Sequence, residues 1–198
     1  MANMRRWCGA IVPKQVSICF EPHPRSFQIL QKTAQSDDLI ALPLACGARS
    51  GNAKLFDFAD RDGSKEATIY SDVFEQLHFG KPSLAHDVKV TTVDEFSDAH
   101  GIERIDLLKV DVEGAELDVL IGAQKLISEL RINAIQFEFG QAYAVRRTRM
   151  RDFCDLLAGY RLFRLLPRGL LPLGPYRPVA HETFHFQNVV ALLDPPLH

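Results

Sequence analysis

The chain has no Cys-x-x-Cys pair, no apolar run near the ~20 residues that cross a bilayer, and no signal-peptide hydrophobic region at its start. Its four cysteines, Cys8, Cys19, Cys46 and Cys154, are scattered, without histidines at zinc-ligand spacing. Reduced thiols in a cytoplasmic protein are therefore expected, with neither a disulfide frame nor structural zinc. A formal net charge of −2 lacks the excess of one sign that draws proteins to nucleic acid. No Gly-x-Gly-x-x-Gly precedes Glu21, which ranks an NAD-binding Rossmann enzyme last among the readings. Internal repeats, heptad arrays and low-complexity tails are also missing.

What is present suits one globular core. At 198 residues and 46% hydrophobic content, residues 1–198 read as a single domain. Strand-like runs fall at 16–20, 39–45, 54–58, 89–93, 105–110, 134–139, 160–166 and 184–193. Helical spacing marks 24–35, 115–130 and 148–158. The alternation predicts an α/β fold with a mostly parallel sheet covered on both faces. The last two strands, joined by the Pro- and Gly-rich stretch 167–178 with no clear helix, predict an antiparallel hairpin. Residues 60–82 are the least regular segment.

Charge is uneven. Nine acids stand against Arg104 and Lys109 between Thr91 and Asp118. Arginines 146, 147, 149, 151, 161, 164, 168 and 177 stand against Asp152 and Asp155. An acidic site beside a basic rim, and with it an anionic acceptor, is one reading; two solvated faces is the other.

The densest chemistry lies at Lys109-Val110-Asp111-Val112-Glu113-Gly114-Ala115-Glu116, where a hydrophobic strand turns into an amphipathic helix. Ligand sites of open α/β sheets lie at such strand ends. Gly114 suits the tight turn and Glu116 the positive end of the helix dipole. Asp111 and Glu113 either cap the helix or face a ligand. Three carboxylates in one turn do not make the octahedron that Mg²⁺ prefers, so no metal is expected. Glu21 ends a strand, Pro22 fixes the chain's exit, and a carboxylate there can accept two hydrogen bonds from a ribose diol. His185 and Asn188, in the final strand, stay outside the catalytic set.

The phrase from Asp106 to Glu116, followed by Val119-Leu120-Ile121-Gly122-Ala123, closely resembles the signature of FkbM-type S-adenosylmethionine-dependent methyltransferases. Phe20-Glu21-Pro22-His23-Pro24, Phe137-Glu138 and Phe184-His185-Phe186-Gln187-Asn188-Val189-Val190-Ala191 extend the likeness over nearly the whole chain. The resemblance implies a Rossmann-like methyltransferase fold, S-adenosyl-L-methionine as cofactor, and O-methylation of a sugar or other small polar acceptor. By the same resemblance Glu21 and Pro22 meet the ribose, Cys46 the adenine, and Asp111 the methionine part of the cofactor. Glu113 then faces the acceptor as a base, while Glu138, at the end of its strand, either assists or holds the acceptor or simply faces solvent. Ala2 and Asn3 resemble the tail of the family's glycine-rich first cofactor motif, so the chain is expected to be incomplete at its N-terminus. The family's first strand, which lies between the strands ending at Glu21 and Asp111, is then missing, and its exposed neighbours would invite self-association. The alternative is a methyltransferase-like binding module without turnover.

Overall fold

The computed structural model describes residues 16–33 and 38–193. Its elements, in chain order, are β1 (Ser17–Phe20), α1 (Pro24–Thr33), β2 (Leu39–Leu42), β3 (Ala45–Cys46), β4 (Gly51–Phe58) and α2 (Ser71–Leu77). There follow β5 (Ser83–Thr91), α3 (Val93–His100), β6 (Ile105–Val110), α4 (Glu116–Ile121), α5 (Gln124–Ser128) and β7 (Ile132–Phe139). The chain continues through α6 (Gln141–Arg146), α7 (Met150–Leu156), β8 (Tyr160–Leu166), β9 (Gly169–Pro172), α8 (Pro178–His181) and β10 (Gln187–Leu193).

The strands form three sheets, ordered β1-β2, β3-β5-β4 and β6-β7-β10-β8-β9. Parallel pairs β1–β2, β3–β5 and β6–β7 sit beside antiparallel pairs β4–β5, β7–β10, β8–β10 and β8–β9. The class is α/β as expected, but the ladders are mixed, because β4, β9 and β10 pair antiparallel, a direction that hydrophobic alternation does not distinguish. β10 returns antiparallel against β8, as the C-terminal pattern predicts. The connection between them carries β9 and α8, where no regular structure was expected.

Local chemistry explains the other departures. Pro43 separates β2 from β3, since proline has no N–H to give to a ladder. The single helix expected over 115–130 is two. A Cβ on Gly122 would lie 2.1 Å from the Gly47 carbonyl, so the helix is pinched there. Just beyond, Asp94 accepts the N–H groups of Lys125 (2.8 Å) and Leu126 (3.1 Å), starting α5 afresh. α3 lies outside the helices that apolar spacing predicts, although its ends are marked: Thr92 accepts the Glu95 N–H, and Gly101 closes it at φ 65°. β5 begins at Ser83 instead of 89 because its first residues are mostly exposed and carry little apolar signal.

The main core lies on one face of the five-stranded sheet. Ile135, Phe137 and Phe139 of β7 and Val189 and Ala191 of β10 pack there against Leu120, Leu126, Phe153 and Leu157 of the α4, α5 and α7 region. Phe137 stacks on Phe153 at 4.6 Å. Among the described residues, β1 pairs only with β2 and β6 only with β7, so no ladder joins the strand before Glu21 to the strand before Asp111. Ala2 and Asn3 lie outside the described residues.

Candidate active site

The turn after β6 is built around one buried carboxylate. Glu116, 1% exposed, reaches back to accept the N–H groups of Val112 (3.1 Å) and Gly114 (3.0 Å) and the Tyr143 hydroxyl. The Glu116 N–H in turn donates to the Tyr143 oxygen at 3.2 Å. Burial pushes the Glu116 carboxyl up, opposed by the Tyr143 and backbone donors. Gly114 sits at φ 100°, and a Cβ there would come 2.8 Å from Ala142, so α6 closes directly over the turn. Glu116 thus braces the turn instead of merely facing a helix dipole, and Tyr143, 27 positions away, gives no local sign of its part.

That brace holds Glu113 at φ 52°, a conformation uncommon for a side chain without a polar group close to its backbone. Thr68 fixes it further by donating to the Glu113 carbonyl at 2.9 Å. The carboxylates of Asp111, Glu113 and Glu138 converge, with one oxygen of each within 4.8 Å of the others. β6 and β7 are parallel neighbours, with Val110 opposite Phe137, so Glu138 stands level with Asp111 at the same end of the sheet. Among the described residues, Asp111 alone of the three forms an ion pair, with the Lys109 ammonium. Burial, then Glu116, Glu138 and Asp111, push the Glu113 carboxyl up to about 7. Burial, then Asp111 and Glu116, push Glu138 up to about 7, with Lys109 opposing.

Glu21 directly follows β1. Its Oε1 accepts the His23 N–H at 2.8 Å, and no other hydrogen bond reaches the carboxylate among the described residues. Burial pushes its carboxyl up, against the His23 N–H and the nearby His23 ring. Pro22 carries the chain from β1 to α1. Cys46 ends β3, half-buried against the main core, with burial pushing its thiol up to about 12. It behaves there as a small hydrophobe. A Cβ on the adjoining Gly47 would lie 3.0 Å from Val90.

A second polar cluster lies beside Glu21. His23 is 2% exposed, and its Nε2 lies 3.0 Å from Asp62 and 3.3 Å from Asp57. His86 Nε2 lies 2.7 Å from the same Asp62 oxygen. The set His23, Asp62 and His86 has the residue types of a metal site. The Arg25 N–H, however, donates to His23 Nδ1 at 3.2 Å, which leaves the ring hydrogen on Nε2, pointing at the carboxylates. This geometry is that of a hydrogen-bonded clasp. Asp57 accepts from the N–H groups of Phe58, Gly63 and Ser64 and the Ser64 hydroxyl. Burial pushes its carboxyl up, but these donors outweigh it and hold the group below its ordinary value. Asp62 is likewise held low, first by the His86 hydrogen bond.

The irregular segment 57–70 links the two places. It holds His23 through Asp57 and Asp62, pairs Phe56 with Thr68, and reaches the Glu113 turn through Thr68. At its end the Tyr70 hydroxyl donates to Asp118, and the Arg146 guanidinium lies 3.4 Å over the Tyr70 ring. The clasp joins positions up to 63 apart in sequence, which is why residue spacing does not reveal it.

The methyltransferase FkbM domain model matches residues 1–162. The chain is 26% identical over 169 residues to the 2-O-methyltransferase NoeI of Sinorhizobium fredii, covering 80% of this chain and 68% of that protein. It is 29% identical over 148 residues to the methyltransferase sdnD of Sordaria araneosa, covering 62% of this chain and 57% of that one. In fold it is similar to the crystal structure of methyltransferase FkbM from Methylobacillus flagellatus, with a TM-score of 0.51 and 13% identity over 89% of this chain. The chain spans 36% of the length of that protein. With most of its length matched by the family model, the chain belongs to the FkbM methyltransferase family.

Proposed function

We propose that the chain is an S-adenosylmethionine-dependent O-methyltransferase whose acceptor is a hydroxyl of a sugar or similar small polar molecule. The observation that carries this reading is the pair Glu113 and Glu138, raised to about 7 and converging with Asp111 at the ends of two parallel strands. That the Sinorhizobium relative is a 2-O-methyltransferase supports an oxygen acceptor.

Glu21 fits the ribose of the cofactor. One oxygen is engaged by the His23 N–H, and among the described residues no other donor takes the remaining lone pairs, which suit a diol. When bound, S-adenosylmethionine supplies an electrophilic methyl group on a sulfonium. Asp111, fixed by Lys109 at the tip of β6, would orient the charged end of the cofactor. Glu113 would take the proton of an acceptor hydroxyl held beside it, so that the proton ends on the carboxylate, the methyl on oxygen, and S-adenosylhomocysteine is released. A carboxyl near 7 is a stronger base than an ordinary Glu yet is still partly ionised at neutral pH, which matches it to this task. Glu138 holds the acceptor hydroxyl or shares the proton.

The test combines calorimetric titration with S-adenosylmethionine and release of S-adenosylhomocysteine over a panel of sugar acceptors. Binding of the cofactor, with turnover on at least one hydroxylated acceptor that Glu113→Gln abolishes, supports the reading. Cofactor binding without turnover on any acceptor favours the binding-module alternative.

A further inference from the structure

The β8–β9 hairpin exposes a concentrated apolar surface that the proposed chemistry does not use. Leu165, Leu166, Leu170 and Leu171 are 40%, 43%, 41% and 48% exposed. Leu165 pairs with Leu170, and Arg164 with Leu171, so leucines stand on both faces of the ribbon. Packing against a core would bury one face, and here neither is buried. β10 accompanies β8 only as far as Arg164, so the tip from Leu165 to Gly169 projects beyond the sheet. From Tyr160 to His181 there are four arginines, 161, 164, 168 and 177, and no acidic residue.

Leucines around a projecting tip, with Arg168 at its turn, match the chemistry of an anionic lipid surface. The apolar side chains enter the headgroup boundary while the Arg168 guanidinium meets a phosphate group. The hairpin also sits at the working end of the sheet. β6, β7 and β8 run parallel, so the tip projects from the same end as Asp111, Glu113 and Glu138. Glu138 pairs with Asn188, and the next residue, Val189, pairs with Arg164, so the projecting tip begins one residue beyond the ladder at the level of Glu138. Two strand spacings, about 10 Å, separate β7 from β8 there. Phe186, 70% exposed, stands at this end just before β10.

We propose that the β8–β9 hairpin docks the chain onto an anionic bilayer, with the carboxylate end of the sheet turned toward the lipid. Resting on the methyl-transfer reading, this makes the acceptor a hydroxyl carried at the membrane surface by a lipid-anchored molecule.

The test is co-sedimentation of the full chain with phosphatidylcholine vesicles, with and without 30% phosphatidylglycerol, at low and moderate salt. Binding to the anionic vesicles at least tenfold stronger than to neutral ones, and weaker in salt, is expected. Leu166→Ser with Leu170→Ser should lower it at least tenfold, and so should Arg168→Glu alone, which leaves every leucine in place. Circular dichroism and melting temperature check that both variants fold. Equal binding to the two vesicle types, or unchanged binding of a folded Arg168→Glu variant, overturns the proposal. So does a concentration-dependent dimer that the leucine substitutions dissolve while vesicle binding is absent, which assigns the tip to a second copy of this chain. Calorimetry with S-adenosylmethionine on the same samples separates the two readings: vesicle binding without cofactor binding overturns only the methyl-transfer reading.

Discussion

Two clusters of carboxylates stand in this molecule, one among histidines and one without them, and they behave in opposite ways. At the clasp, Asp57 and Asp62 face histidines and, for Asp57, a ring of N–H and O–H donors, and both are held below their ordinary values. At the turn after β6, Glu113 and Glu138 face mainly other carboxylates, and both are raised to about 7. A satisfied carboxylate stabilises a loop. Crowded, half-buried carboxylates cost stability and are kept in place by something else, here the Glu116–Tyr143 brace. The contrast assigns chemistry to the turn and support to the clasp.

The contrast can be broken by moving each effect to the wrong cluster. The largest expected effect is on turnover. Glu113→Gln should lower kcat by about 10²–10⁴-fold, with cofactor affinity nearly unchanged. Asp111→Asn should instead weaken cofactor binding, and identical behaviour of the two variants would merge roles that are assigned separately here. Next comes Asp57→Ala at the clasp, which leaves several buried donors unmatched and should cost about 2–4 kcal/mol in urea unfolding. Full stability with lost turnover would make the clasp catalytic. Glu21→Ala, beside the clasp, should weaken S-adenosylmethionine binding by about 1–3 kcal/mol in calorimetry, the usual cost of losing a charged hydrogen-bond partner.

The smallest effect is the most diagnostic in sign. Glu113 and Glu138 have raised values, so the folded chain keeps protons that the unfolded chain releases near 4.5. Their contribution to stability therefore falls as pH rises from about 4.5 through about 7, then levels off. Glu113→Gln should remove part of that slope and melt about 2–4 °C higher than the parent at pH 8. Asp57 runs the other way: its contribution is complete above its ordinary value of 3.8 and is lost as pH falls through its lower folded value. Thermal scans across pH 3–9 read both trends.

How much of this was legible in sequence follows from the range of each interaction. β6 and β8 match their expected spans residue for residue, because their apolar runs are short, dense and bounded by turn residues. The Asp111–Glu113 turn was legible for the same reason: strand, glycine and helix are contiguous. Glu138 could be placed at a strand end, though only the parallel β6–β7 register shows that it meets Asp111. The break at Gly122 depends on a carbonyl 75 positions earlier, and the Glu116 brace on Tyr143. The clasp needs His23, Asp57, Asp62 and His86 brought together by a segment without periodicity. None of these partners leaves a trace in local spacing.

The central claim is that the carboxylates after β6 are held in a frustrated, proton-retaining state that equips Glu113 as a base. It is tested most directly by following the side-chain carboxyl carbons of ¹³C-labelled glutamates by NMR from pH 3 to 9, a measurement that needs neither cofactor nor acceptor. The account predicts that Glu113 and Glu138 titrate as a coupled pair centred near pH 7, and that Glu113→Gln lowers the transition of Glu138. Titration of both groups near 4.5, each indifferent to the other, would contradict it.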